Sequence, residues 1–289
     1  DGAIAAHAVK RLAKLAKKKK PFFLAVGFKK PHLPFVAPKR YWDRFDPKSI
    51  QLASYQEAPL GAPRYAQHNS SELRSYNGIP ASGPLDLSTQ RTLIHGYYAC
   101  VSYIDAQIGI LLEGLDNLNL SENTIVFILG DHGWSLGEHG LWAKHSPFDL
   151  ATRTPLIVRT PEHLSETYKS GRAHGLVEFI DIFPTIMELV DLAELDQLDG
   201  KSFVEQLKDP LSDGKEVVFP RWSIAEIIKT DQYSYTEWRD KRGGVLERML
   251  YDHNLDPEET FNVSEEPEYA DIVKLLHRRL SQHVSEFGI

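Results

Sequence analysis

Cysteine is almost missing from this chain: Cys100 is the single one in 289 residues. One thiol excludes an internal disulfide framework and a multi-cysteine zinc centre. It leaves the compartment open, because exported proteins also occur without disulfides. An excess of positive charge is missing as well. The formal charge of −7 argues against general nucleic-acid binding, which needs a basic footprint. No apolar run approaches the roughly 20 residues that a membrane-spanning helix requires. An initiator Met and a signal peptide are both absent, and the chain opens directly in a helix-like pattern, so Asp1 is not expected to be the natural start. What remains is ordinary for a globular protein, with 42% apolar and 25% charged residues, and the length suffices for a large core.

Apolar residues at Ile4, Ala8, Leu12 and Leu15 predict a helix over 4–19, closed by the lysine run Lys17 to Lys20. Pro21 stops it, and Phe22 to Phe28 reads as a buried strand. A Pro-rich loop follows, Lys30 to Pro38, holding Lys30-Pro31-His32-Leu33-Pro34. The polar stretch Asp46 to Pro84 is long for a loop in a compact domain, which favours a functional role. Ser88 is placed to cap a helix running to about Leu115, with Leu93, Tyr97, Val101, Ile104, Ile108 and Leu111 on one stripe. Strands are expected at Ile125 to Leu129 and Pro155 to Val158, and a helix at Val177 to Val190 with Pro184 near its start or at a kink. After about Lys208 short strand candidates (Val217 to Phe219, Tyr233 to Trp238, Arg248 to Tyr251) precede a helix from Tyr269 to about Phe287. The fold class is therefore α/β: a mostly parallel central sheet flanked by helices, with a small C-terminal antiparallel sheet plus helix. Residues 1–207 are assigned to the α/β part and 208–289 to a small α+β subdomain. No internal repeat is present.

The richest stretch is TIVFILGDHGWSLGEHGLWAKH, Thr124 to His145. Its apolar run has the composition of a strand buried on both faces, and ligands in open α/β sheets gather beyond the carboxyl ends of such strands. Gly130 and Gly133 let the backbone turn tightly around Asp131 and His132, which offer one oxygen and one nitrogen to a metal. Lys144 is a compact, flexible cation suited to a tetrahedral oxyanion, and it shares its loop with His139, Trp142 and His145. His32, after a different strand, is a candidate for the same sheet edge. Each of these residues also has a bland reading, as a hydrogen-bonded pair, solvated surface or core.

Five segments carry a resemblance to a known family: PFFLAVGFKKPHLPF, YYACVSYIDAQIGILLEGL, TIVFILGDHGWSLGEHGLWAKHSPFDLATRTPLIV, LVEFIDIFPTIMEL and LYDHNLDPEET. Spread over residues 21–260, they resemble the later part of a type I sulfatase of the alkaline phosphatase superfamily, most of all the iduronate-2-sulfatase group. The resemblance implies that Asp131 and His132 are ligands of one calcium ion, an assignment that comes from the family, since nitrogen is an unusual partner for so hard a cation. It implies that Lys144 and His32 contact the sulfate and help to neutralise or protonate the leaving oxygen. It further implies a formylglycine nucleophile, made from Cys or Ser in a C/S-x-P-x-R motif, whose hydrated aldehyde attacks sulfur.

The chain departs from the family at that nucleophile. Cys100 is followed by Val101-Ser102-Tyr103-Ile104, without the Pro or Arg, and mid-helix it reads as a small buried hydrophobe. No serine begins the motif, and the family's adjacent Asp pair is absent. The expected function is a sulfate-ester hydrolase acting on a sulfated uronic acid or related glycan, as the C-terminal part of a sulfatase that needs a complementary N-terminal segment bearing the formylglycine. The partners implied are that segment and a sulfated oligosaccharide or polysaccharide, with no nucleic acid and no membrane span. By resemblance the protein is exported: periplasmic, extracellular or lysosomal. The alternatives are a zinc-dependent phosphate-ester hydrolase of the same superfamily and a non-catalytic fragment that binds sulfated glycans. His139, Trp142 and the Asp46 to Pro84 loop are expected at the substrate rim, and Arg221 is expected to meet a uronate carboxylate.

Overall fold

A computed structural model describes all residues except Glu194 and Ile289. The helices are α1 (Gly2–Ala16), α2 (Lys39–Trp42), α3 (Ser71–Arg74), α4 (Leu87–Asn117), α5 (Asp149–Thr152), α6 (Pro161–Leu164), α7 (Ile182–Leu189), α8 (Val204–Lys208) and α9 (Ala270–Phe287). The strands are β1 (Val126–Leu129), β2 (Leu156–Arg159), β3 (Arg221–Trp222), β4 (Ala225–Lys229), β5 (Tyr233–Arg239) and β6 (Val245–Asp252). β1 pairs with β2, and β3-β4-β5-β6 form an antiparallel sheet in chain order. This is the α/β class that the sequence predicts, including the small antiparallel sheet and its helix. Among the described residues no helix is long and apolar enough to cross a membrane. The chain forms two compact units: the first is Asp1–Ser54, Asn69–Val126 and Leu136–Glu138, and the second is Tyr55–His68, Phe127–Ser135 and His139–Ile289.

In the first unit α1 packs on α4 through small residues. Ala5, Ala8 and Leu12 are buried, whereas Ile4 is exposed, so the buried stripe is rotated from the one expected. Small side chains allow close approach: a Cβ on Gly114 would meet Val9 at 3.1 Å. The cap of α4 lies two residues before Ser88. It is Asp86, whose carboxylate accepts from the Ser88 and Thr89 amides at 2.9 and 3.0 Å. Such bonds satisfy donors that an open helix end leaves unpaired. On α4 the buried positions include Gly96, Ala99, Cys100 and Gly114, and Val101 is exposed.

Phe22–Phe28 does not form the expected buried strand. The segment is assigned no strand and its burial alternates, with Phe23 82% exposed. A ladder needs a hydrogen-bonded neighbour, and none is present for it among the described residues. The long polar stretch is built from short helical turns, including α3, and is stitched by Arg74. Its guanidinium donates to the carbonyls of Asn69, Pro80 and Gly83, each at 2.6 Å.

In the second unit the pairing register sorts the sheet into two faces. Ala225, opposite Trp238, lies on one face with Met249 and Tyr251, where they pack with Leu141, Phe148 and Ala66. Ile228, Tyr235 and Leu250 lie on the other, against Val273, Leu276 and Leu280 of α9. β4 is the strand that the sequence hides. Its Glu226 and Lys229 interrupt the apolar pattern, yet all five of its residues are buried. Glu226 also stands directly opposite Glu237, an unfavourable pairing for like charges. Arg221 meets Glu226 at 2.9 Å, and Arg239 and His277 each meet Glu237 at 2.5 Å. These partners compensate charges that would otherwise be costly to bury.

Candidate active site

The stretch from Gly130 to Phe148 is anchored by its apolar residues and presents its polar ones. Leu141, Trp142, Ala143 and Phe148 are all buried, and Leu141 and Phe148 join the core under the antiparallel sheet. Fully burying an aromatic or aliphatic side chain contributes about 1.5–3 kcal/mol, so these anchors fix the backbone of the loop. Lys144 is half-buried and His145 exposed. The outgoing and returning arms are tied where the Ser135 amide donates to the Ala143 carbonyl at 2.9 Å.

The Asp131-His132 turn is held at both ends. The Gly130 amide donates to the Pro155 carbonyl at 3.1 Å, and the Gly133 amide donates to the Ala151 carbonyl at 2.9 Å. Gly133 is required here because α5 approaches its Cα too closely for a side chain. A charged network holds α5 in turn. Lys229 Nζ meets Asp149 Oδ1 at 2.8 Å and Arg153 Nε meets Asp149 Oδ2 at 2.8 Å. Glu259 accepts from the Asp149 amide at 2.8 Å and meets His253 at 3.0 Å. Burial pushes the Asp149 carboxyl up, but the Lys229 ammonium, its hydrogen bond and Arg153 outweigh this, and the carboxyl lies below its ordinary value.

His132 Nδ1 lies 2.7 Å from the Gly133 carbonyl. A carbonyl only accepts, so Nδ1 carries the proton, and the tautomer this selects has its lone pair on Nε2. That arrangement is common for histidine ligands. Nε2 is 3.7 Å from Asp131, whose side chain is 89% exposed. A calcium ion takes six to eight oxygen ligands, and among the described residues no three His, Cys, Asp or Glu side chains converge on one metal position. The pair thus suits two ligand roles and does not complete a calcium site.

Trp134 links His132 to Lys144. Its ring centroid is 6.5 Å from that of His132, and Lys144 Nζ lies 5.6 Å from the Trp134 centroid. His132, Trp134 and Lys144 therefore form one cluster, which the sequence indicates only in part, since Trp134 looks like any loop aromatic.

His139 and Trp142 are 3% and 4% exposed, which removes them from a substrate rim. His139 has a left-handed backbone (φ 55°), and its Nε2 engages the Glu258 carbonyl at 2.8 Å. Its ring packs on Phe148 at 4.1 Å, so its place is in the core. Arg221 is half-exposed and engaged with Glu226. The register sets it on the side of Glu226, whereas its neighbour Trp222 pairs with Ala225 on the face that backs the loop. In the first unit, His32 Nδ1 meets the Leu33 carbonyl at 2.7 Å and Nε2 meets Glu72 at 3.1 Å. Burial pushes the Cys100 thiol up to about 11, which keeps it protonated and non-nucleophilic.

Comparison with known proteins places the chain in one family. The sulfatase family matches residues 1–192, and the family described as "N-sulphoglucosamine sulphohydrolase, C-terminal" matches residues 137–286. Iduronate 2-sulfatase of Homo sapiens is 37% identical over 213 residues, 64% of this chain and 39% of that protein. The Mus musculus protein of the same name is 36% identical over 299 residues, 80% of this chain and 54% of that protein. The chain thus spans about half the length of the curated relatives it matches. Among solved structures, a protein in complex with its substrate D-glucosamine-2-N,6-O-disulfate superposes with a TM-score of 0.84 at 20% identity, over 99% of this chain and 69% of that one. A phosphonate monoester hydrolase from Silicibacter pomeroyi gives 0.79 at 25% identity, over 98% and 60%. With the profile match covering most of its residues, the chain belongs to the sulfatase family.

Proposed function

We propose that this chain is the later part of a sulfate-ester hydrolase acting on a sulfated uronic acid or related glycan. The observation that carries the proposal is the family match at a loop where His132, Trp134 and Lys144 cluster. Residues 1–207 are the later part of the catalytic domain and 208–289 its C-terminal subdomain. Lys144 binds sulfate oxygens and offsets the negative charge that develops as the ester bond breaks. His32 donates a proton toward the leaving oxygen, and Asp131 and His132 supply two of the ligands of a calcium site. The other ligands and the formylglycine lie on a segment outside these 289 residues, since no C/S-x-P-x-R motif occurs within them. The protein is exported, and its partner is a sulfated oligosaccharide or polysaccharide.

The test is release of inorganic sulfate from a disaccharide bearing a 2-O-sulfated uronate. The natural protein with a motif-bearing segment is expected to release it, and these 289 residues alone are not. Lys144→Ala in the active protein is expected to lower kcat/KM by about 10²–10³-fold, with Tm unchanged. Equal activity in a well-folded Lys144→Ala variant would remove Lys144 from the mechanism. The likeness to a phosphonate monoester hydrolase favours one second reading, hydrolysis of a phosphorus monoester. Turnover of a phosphate or phosphonate monoester faster than the sulfated disaccharide, with stoichiometric zinc, would select that reading.

A further inference from the structure

Two side chains from distant stretches of the second unit meet at His145, the chain neighbour of Lys144. The Trp222 indole stacks on the His145 imidazole, with centroids 4.6 Å apart and planes 15° from parallel. Trp222 is nevertheless 43% exposed. A large aromatic held half in water is not core packing, and the hairpin that carries it is rigidly built. Ser223 takes a left-handed conformation (φ 57°) at the turn between β3 and β4. The Arg239 amide donates to the Ile224 carbonyl at 3.0 Å, and the Ile227 amide donates to the Pro220 carbonyl at 3.1 Å. The alternation of side chains along β3 turns Trp222, and not Arg221, toward the face that backs the Lys144 loop.

We infer that the Trp222–His145 stack is a platform for the pyranose ring of an anionic saccharide, sited next to Lys144 and determining specificity for the sugar. The inference rests on the proposal that the Lys144 loop is a sulfate site, and it names what lies beside that site. The apolar face of a pyranose packs on an indole, while the Lys144 ammonium attracts its sulfate or carboxylate groups. Trp222 binds the sugar and takes no part in breaking the ester bond, so it is a specificity residue and not a catalytic one.

The test is titration of the purified chain with a heparin-derived tetrasaccharide and, separately, with inorganic sulfate, followed by calorimetry and tryptophan fluorescence. Trp222→Ala is expected to weaken tetrasaccharide binding by about 5- to 10-fold and to leave sulfate binding unchanged. Trp222→Phe should restore most of the loss. Tetrasaccharide affinity in Trp222→Ala within twofold of wild type would overturn the platform, as would no tetrasaccharide binding by the wild type. Thermal melts of each variant identify loss by misfolding, and then Trp222→Phe, which keeps an aromatic ring, decides. Saccharide binding that depends on Trp222 without sulfate release from the natural protein would sink the hydrolase reading and leave the platform standing. Sulfate release with binding indifferent to Trp222 would do the opposite.

Discussion

A methyl group on Gly133 would lie 1.9 Å from the Leu150 carbonyl oxygen and 2.7 Å from that of Arg153. Both neighbours are backbone, so relief requires α5 or the Asp131-His132 turn to move. Gly133→Ala is expected to lower Tm by roughly 3–10 °C, the range for overpacking by one or a few kcal/mol, and a melt unchanged within 1 °C would refute the close approach. The chain's single thiol offers a second test at this scale. Burial pushes Cys100 up to about 11, and thiolate is the reactive form. The native protein should resist iodoacetamide at pH 8 and react fully once unfolded in guanidinium; rapid native labelling would contradict the burial.

Among the elements, α5 is short and depends on charge partners. Asp149 and Lys229 are 18% and 9% exposed, and the Asp149 carboxyl is held below its ordinary value. A carboxylate lowered in the folded state stabilises fully above the unfolded value of about 3.9 and loses that stabilisation as pH falls through the folded value. Acid unfolding of the second unit should therefore draw on Asp149 below about pH 4. Asp149→Asn is expected to cost about 3–5 kcal/mol at pH 7, because it leaves Lys229 unpaired, and to flatten the pH dependence of stability below pH 4. Equal acid midpoints for variant and wild type would show that the pair contributes nothing. Because α5 carries the carbonyl that receives the Gly133 amide, the same substitution should loosen the turn that presents Asp131 and His132.

Over these 289 residues the formal charge is −7, so on the proposed reading a sulfated saccharide would be repelled at long range and drawn in by local cations. Screening separates the two contributions, since the Debye length falls from about 10 Å at 0.1 M salt to about 3 Å at 1 M. Tetrasaccharide affinity is expected to fall between 0.1 and 1 M sodium chloride, while a desulfated tetrasaccharide shows no such loss. Equal salt dependence of both ligands would exclude Lys144 as the attracting charge.

Much of this protein is legible along the chain because local patterns carry it. Periodicity marks α1, α4 and α9, the Gly-Asp-His-Gly turn marks the end of β1, and the family motifs mark Lys144. Other features escape because they depend on residues distant in sequence. β4 is disguised by Glu226 and Lys229, whose partners Arg221 and Asp149 decide that those charges can be buried. His139 and Trp142 sit among polar site residues in sequence, yet the core under the antiparallel sheet takes them inside. Arg221 and Trp222 are neighbours in the chain, and only the register of β3 on β4 decides which of them faces the loop. The sequence alone determined the class of fold and the family, and it named the candidate residues for the site. Tertiary structure decided which of those residues reach solvent, because burial and strand register are set by partners far along the chain.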